Sequence, residues 1–107
     1  MITGVSGTIG AEALKQIVQA GTFRCRVMLR PKKANIRLAK KLQQNENIEV
    51  LFGNIQNYGD CLAAVKGADY VLHCAAIIPP AADHNPDETF RTNWLGTENL
   101  LEAVADS

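Results

Sequence analysis

The apolar positions of this chain fall into two alternating rhythms, one with the period of a helix and one with that of a strand. Ile9, Ala13, Leu14, Ile17 and Val18 recur at helical spacing, which predicts a first helix over residues 8–20 that Gly21 ends. Residues 25–30 alternate as a short strand, and Pro31 closes it. A basic second helix is predicted over 34–43 with Ile36, Ala39 and Leu42 turned inward, followed by a polar turn at 45–47. Residues 48–52 read as a third strand closed by Gly53, and 58–66 as a third helix with Asn57 as N-cap and Gly67 as terminator. Residues 69–76 are apolar almost throughout, as a strand covered on both faces is, and Pro79-Pro80 breaks the run. The last helix has a clear start, with Asn85 as N-cap, Pro86 in the first helical position and Glu88 in the third. Phe90, Trp94, Leu101 and Val104 are expected to face the sheet from it. Gly96 inside that helix costs about 1 kcal/mol relative to alanine, so a neighbouring strand or a ligand is expected to come close there.

With Met1-Ile2 as the stub of a first strand, four strands alternate with four helices, without repeats or low-complexity linkers. That alternation predicts an α/β fold, one domain over 1–107, with a parallel sheet and helices on both faces. Right-handed crossovers give the strand order 3-2-1-4 of a doubly wound sheet. The carboxyl ends of all four strands then share one rim, where residues 4–10, Arg30, Asn54, Ala75 and Ala76 meet although far apart in sequence.

Composition narrows the function classes. The 107 residues carry no net charge and the apolar and charged balance of a soluble globular protein, with no apolar run near the ~20 residues of a membrane span. No secretory pattern opens the chain, so a cytoplasmic protein is expected. Cys25, Cys61 and Cys74 are odd in number and widely spaced, and neither they nor His73 and His84 have metal-ligand intervals, so no metal site is expected. Eight basic residues and no acid lie between Arg24 and Lys41. Without interleaved aromatics or a recognition motif, a solvated helix face and a local phosphate site account for that segment better than nucleic acid does.

The chemistry concentrates in Thr3-Gly4-Val5-Ser6-Gly7-Thr8-Ile9-Gly10, a glycine turn between a strand and a helix N-terminus. Such a turn brings backbone close to a pyrophosphate, whose charge rests on free N–H groups at the positive end of the helix dipole. Gly4 permits the turn, Gly7 leaves room for the diphosphate and Gly10 lets helix and strands pack closely. Arg30 lies about twenty residues beyond Gly10, where an acid would hold a ribose 2′-hydroxyl and an arginine accommodates a 2′-phosphate. Arg30, with Lys32 and Lys33 beside it and no acid, points to NADP over NAD.

Four motifs together resemble the short-chain dehydrogenase/reductase superfamily, in its extended branch of NAD(P)-dependent epimerases, dehydratases and reductases. They are the glycine turn, Gly53-Asn54-Ile55 after the third strand, His73-Cys74-Ala75-Ala76, and Asn93-Trp94-Leu95-Gly96-Thr97 in the last helix. The resemblance implies a Rossmann-type fold and the amino-terminal, cofactor-binding part of such an enzyme. It implies that the turn, including Ser6, Thr8 and Ile9, holds the phosphates. It also implies that Asn54 accepts from the adenine amino group, with the Ile55 N–H reaching the ring. Ala75 and Ala76 would pass beside the cofactor sugars, and Asn93 would order the bend and water near the nicotinamide.

The superfamily's reaction uses a tyrosine four residues before a lysine. Four residues after Tyr58 and Tyr70 stand Leu62 and Cys74. The expectation is therefore a chain cut short of its catalytic pair and substrate lobe: inactive by itself, able to bind nucleotide, and prone to dimerise through a bare sheet edge. A small-molecule substrate would belong to the longer parent. Two alternatives stand beside the enzyme reading, a non-enzymatic NADP-sensing module of the same superfamily and a structural piece of a larger assembly.

Overall fold

A computed structural model describes residues 1–77 and 81–107. Its elements are β1 (Ile2–Thr3), α1 (Thr8–Ala20), β2 (Cys25–Leu29), α2 (Lys33–Leu42), β3 (Ile48–Phe52), α3 (Tyr58–Val65), β4 (Leu72–His73), α4 (Ala81–His84), α5 (Pro86–Phe90), a π-helical turn (Arg91–Leu95) and α6 (Gly96–Asp106). The strands form one parallel sheet in the order β3-β2-β1-β4, the Rossmann-type arrangement that the alternation of patterns implies.

Alternation along β2 divides the core in two. Cys25, Val27 and Leu29 join Leu14 of α1 and Ala39 of α2 in one cluster. Met28 joins Cys61, Ala64 and Val65 of α3 and Leu100 and Ala103 of α6 in the other. Every second residue of a strand points to the same face, so a five-residue strand supplies both layers. Arg26 spans from the sheet to the end of α3, where its guanidinium donates to the carbonyls of Ala64 at 2.8 Å and Lys66 at 2.7 Å. A cation is favoured at that negative end of a helix.

The two side-chain N-caps are where the sequence places them. Asn57 accepts from the Asp60 N–H at 2.9 Å and Asn85 from the Glu88 N–H at 3.2 Å, with Pro86 opening α5. Asn57→Ala is expected to cost about 1 kcal/mol of stability, read as a lower denaturant midpoint at unchanged slope; an unchanged midpoint would remove the capping role.

Four expectations need correction. The strand expected over 69–76 has only two paired residues, Leu72 and His73, because its neighbour β1 is itself two residues long and offers two ladder positions. With no second neighbour among the described residues, β4 is an edge strand, and Leu72 is 41% exposed rather than covered; the Pro79-Pro80 stop lies outside the described residues. Ile9 is 76% exposed, since the first turn of α1 approaches the sheet through Gly10, while Leu14, Ile17 and Val18 make the packed stripe. In α2 the inward position goes to Asn35 rather than Ile36, because the Asn35 amide donates to the Arg30 carbonyl at 2.9 Å and is satisfied there.

In the last helical stretch the large side chains Phe90, Trp94, Leu101 and Val104 all face solvent, and Thr92, Gly96, Leu100 and Ala103 are buried. Small residues at the contact let the helix backbone come close to the rest of the fold. A Cβ at Gly96 would lie 2.6 Å from the Ile55 side chain, so the close neighbour is a loop residue rather than a strand. The intervening π turn also adds a residue to its turn, which throws a helical count begun at Phe90 out of phase.

Candidate functional site

The loop after β1 is folded by its own backbone, with the Gly7 N–H donating to the Gly4 carbonyl at 3.0 Å. Gly4 has φ +79°, and a Cβ there would lie 2.5 Å from the Cys74 and Ala75 backbone. A Cβ on Gly10 would lie 2.0 Å from the Gly4 oxygen. These two glycines are therefore fixed by the protein's own packing. Gly7 differs: its added Cβ would meet only the Gly4 oxygen, at an ordinary 3.4 Å, and otherwise open space. Behind it α1 starts with no side-chain cap and no acid in its first turn, leaving a positive helix end suited to an anion.

Gly4, Ser6, Arg30, Asn54, Ile55 and Ala75 line one cleft of about 100 Å³ at the carboxyl rim of the sheet, together with Thr3, Lys32 and Thr92. Thr8 and Ile9 are exposed on the first turn of α1 and Gly10 is buried beneath it. A larger concavity, about 500 Å³, opens at the opposite end between Phe23, Arg24, Asp69 and Tyr70. It has neither the glycine loop nor strand carboxyl ends, and ligands of such sheets bind at the carboxyl rim, so the smaller cleft is the candidate site.

Within that cleft Asn54 is held on both sides. Its N–H donates to Asp60 at 3.0 Å, and its side-chain oxygen accepts from the Gln56 N–H at 2.9 Å, with one lone pair left. The Ile55 carbonyl accepts from Asn99 at 3.0 Å, which ties the loop to α6. Asn93 spends its amide on the backbone of Ile77, accepting from its N–H at 2.7 Å and donating to its carbonyl at 2.8 Å. It and the exposed Ala76 are not among the residues lining the cleft.

Arg30 sits on the rim with its guanidinium 3.7 Å from Glu88. Glu88 also accepts from Gln56 at 3.0 Å and Arg91 at 3.3 Å, and Gln56 donates further to Thr92 at 3.2 Å. The Gln56 hydrogen bond, helped by Arg91 and the Arg30 charge, holds the Glu88 carboxyl below its usual range. The sequence reading missed this polar cluster: Glu88 looks like a helix-start acid, and nothing local signals that α5 lies across from the end of β2.

The thiols offer no comparable chemistry. Cys61 is buried, which pushes its pKa up to about 11, and Cys25 is shifted the same way by burial. Among the described residues no three His, Cys, Asp or Glu side chains are grouped to hold a metal ion, and no helix is long and apolar enough to cross a membrane.

Comparison with known proteins agrees with the fold. Residues 1–107 match the family model described as polysaccharide biosynthesis protein. The chain is 31% identical over 107 residues to an uncharacterized membrane protein of Methanocaldococcus jannaschii, covering 99% of this chain and 32% of that one. It is 31% identical over 112 residues to a UDP-glucose 4-epimerase of Rickettsia rickettsii, covering 100% of this chain and 33% of the epimerase. The chain thus spans about a third of the length of the curated relatives it matches. Among solved structures, Pen from Bacillus thuringiensis superposes with TM-score 0.83 at 34% identity over 95% of this chain and 32% of that one. DesIV, a dTDP-glucose 4,6-dehydratase from Streptomyces venezuelae with NAD and TYD bound, superposes with TM-score 0.82 over 98% of this chain and 35% of that one. At 21% identity the DesIV likeness is one of fold.

Proposed function

Because the chain belongs to the polysaccharide biosynthesis protein family, within the extended short-chain dehydrogenase/reductase superfamily, we propose that it is the NAD(P)-binding portion of an NAD-dependent type of epimerase, dehydratase or oxidoreductase. The observation that carries this reading is the contrast among the three glycines. Gly4 and Gly10 are locked by the fold, whereas Gly7 borders open space beside an uncapped helix start, a cradle that a side chain would occupy. The site residues fit a dinucleotide. The Gly4–Gly7 loop with Ser6 and Thr8 would take the diphosphate, and Ile9 and Gly10 supply helix N–H groups behind it. Asn54 has one acceptor position for the adenine amino group, with the Ile55 N–H beside it. Ala75 and Ala76 would leave room for the sugars, and Asn93 would act by pinning Ile77 at the nicotinamide end. When bound, the cofactor supplies a site for hydride transfer to or from a hydroxyl- or carbonyl-bearing carbon.

The relative named as a UDP-glucose 4-epimerase favours a nucleotide sugar as the substrate class of the whole protein, and a cytoplasmic place for it is part of the same proposal. NADP is the preferred cofactor in this reading, because Arg30 and Lys32 line the cleft where the 2′-phosphate would lie. Glu88 tempers that preference, since it already engages Arg30. The chain itself is assigned no catalytic acid–base pair.

Calorimetric titration with NADP+ and NAD+ tests the reading. Saturable one-to-one binding of at least one of them is expected, tighter for NADP+, with no turnover of UDP-glucose or dTDP-glucose by the chain alone. Failure of both to bind at millimolar concentration would overturn it.

A further inference from the structure

His73 belongs to one of the motifs that mark the superfamily, yet the cofactor reading gives it no role. It sits on the two-rung contact between β1 and β4, opposite the fully buried Thr3. The Thr3 hydroxyl oxygen accepts from the backbone N–H groups of Cys74 and Ala75, both at 3.1 Å. The Cys74 N–H is shared with the Thr3 carbonyl at 3.2 Å, so the ring's other end decides. The Thr97 hydroxyl gives its proton to the Asn93 carbonyl and can only accept from His73 Nε2, which leaves Nδ1 to accept the Thr3 hydroxyl proton at 2.6 Å. That fixes the tautomer. The ring proton lies on Nε2, which donates to the Thr97 hydroxyl at 2.9 Å, and Thr97 donates in turn to the Asn93 carbonyl at 2.8 Å.

We propose that His73 is a positioning residue of the dinucleotide cradle: as its neutral Nε2–H tautomer it aims the Thr3 hydroxyl, and so holds the Cys74–Ala75 backbone against Gly4. The same backbone is what a Cβ on Gly4 would strike at 2.5 Å, so the floor of the cleft and the loop above it are set by this one relay. At its other end the relay reaches Asn93, whose side chain fixes Ile77. One imidazole thereby couples both segments that would flank the cofactor sugars and nicotinamide.

Protonation reverses the arrangement. A proton on Nδ1 would turn the Thr3 hydroxyl oxygen from donor to acceptor toward the ring, in competition with the Cys74 and Ala75 N–H groups. Burial already holds the His73 pKa below the ordinary imidazole value of about 6.5. One acidic side chain, Asp69, lines the cavity beside the ring. β1 presents Thr3 and the Met1 ammonium, which is engaged with the Tyr70 carbonyl. From α6 the cavity beside the ring receives Thr97, Leu100, Leu101 and Val104, and Glu98 and Glu102 are exposed. Its own segment adds Asp69 and Tyr70. A histidine kept neutral in the fold contributes stability that is full above the ordinary value and is lost as pH falls through the depressed one.

Long-range proton–nitrogen correlation on the 15N-labelled chain, without nucleotide, reads the tautomer directly. The expected result is a proton on Nε2 and none on Nδ1, with the Cys74 and Ala75 amide signals moving at the same midpoint as the ring, below the ordinary value. An Nδ1–H tautomer, or amide signals that ignore the ring's titration, would overturn the proposal. The role in binding rests on the cofactor reading, and NADP+ titration tests it separately. Affinity should fall with the same midpoint, and Thr97→Val should weaken binding roughly tenfold at neutral pH while Thr97→Ser restores it. Equal affinities for Thr97→Val and the parent would count against His73 as a positioning residue. Absence of NADP+ binding by the parent chain would instead remove the cofactor reading, and the tautomer and the coupled amide titration would still decide this one.

Discussion

Gly10→Ala is expected to destabilise the fold severely, whereas Gly7→Ala leaves it intact and removes dinucleotide binding. The two glycines are three residues apart and chemically identical, so the difference lies in their surroundings. A methyl group on Gly10 would sit 2.0 Å from the Gly4 carbonyl oxygen and 3.0 Å from the Val5 nitrogen. Both are backbone atoms, with no flexible side chain to move aside. Overpacking of this kind costs about 1–3 kcal/mol even where side chains can adjust, and more against rigid backbone. Gly4→Ala is expected to behave similarly, because it meets the Cys74–Ala75 backbone and also requires φ +79° of an L-residue. Gly7→Ala meets nothing closer than 3.4 Å and keeps an extended φ of −92°. Its methyl would enter the space assigned to the diphosphate. Denaturant midpoints should therefore fall steeply for Gly10→Ala and barely for Gly7→Ala, and calorimetry should find NADP+ binding lost in the latter. Wild-type affinity in Gly7→Ala would mean that the phosphates lie elsewhere.

Arg30→Ala is expected to weaken NADP+ by about 1.5–3 kcal/mol, roughly 10- to 150-fold, while NAD+ affinity changes little. The size follows from losing a charged, two-pronged hydrogen-bonding partner for the 2′-phosphate. Glu88 makes the converse variant informative. Its carboxylate lies 3.7 Å from the Arg30 guanidinium, and Glu88→Gln removes the competing charge while keeping a side-chain oxygen for Gln56. NADP+ affinity should rise in Glu88→Gln and the gain should disappear when Arg30 is also replaced. Equal loss for the two cofactors in Arg30→Ala would refute the 2′-phosphate assignment.

Much of this architecture is readable from local pattern. The first helix, the third strand, both asparagine caps and the strand order follow from periodicity, capping chemistry and the handedness of crossovers, because each depends on neighbouring residues or on a general rule. The failures share a different cause. The apolar run at 69–76 is a good strand by composition, but its ladder is limited by a partner 70 positions away in the numbering, and β1 offers only Ile2 and Thr3. Phe90 and Trp94 are hydrophobic enough for a core, yet the contact with Ile55 demands Gly96, and the aromatic side chains are left outside. Ile36 loses the inward position to Asn35 because a carbonyl at the end of β2 needed a donor. The Glu88 cluster and the Thr3–His73–Thr97 relay join residues from separate elements; Thr3, His73 and Thr97 each lie in a quoted motif, but spacing along one sequence does not show that they touch.

The stacked pair on the outer face of the last helical stretch has a practical consequence. Phe90 and Trp94 lie parallel at 6.4 Å between ring centroids, and Trp94 is the chain's one tryptophan. It directly follows Asn93, whose amide clasps Ile77. The molecule thus carries a built-in optical reporter one residue from that clasp, and a disturbance there should register as a change in indole emission without any attached dye.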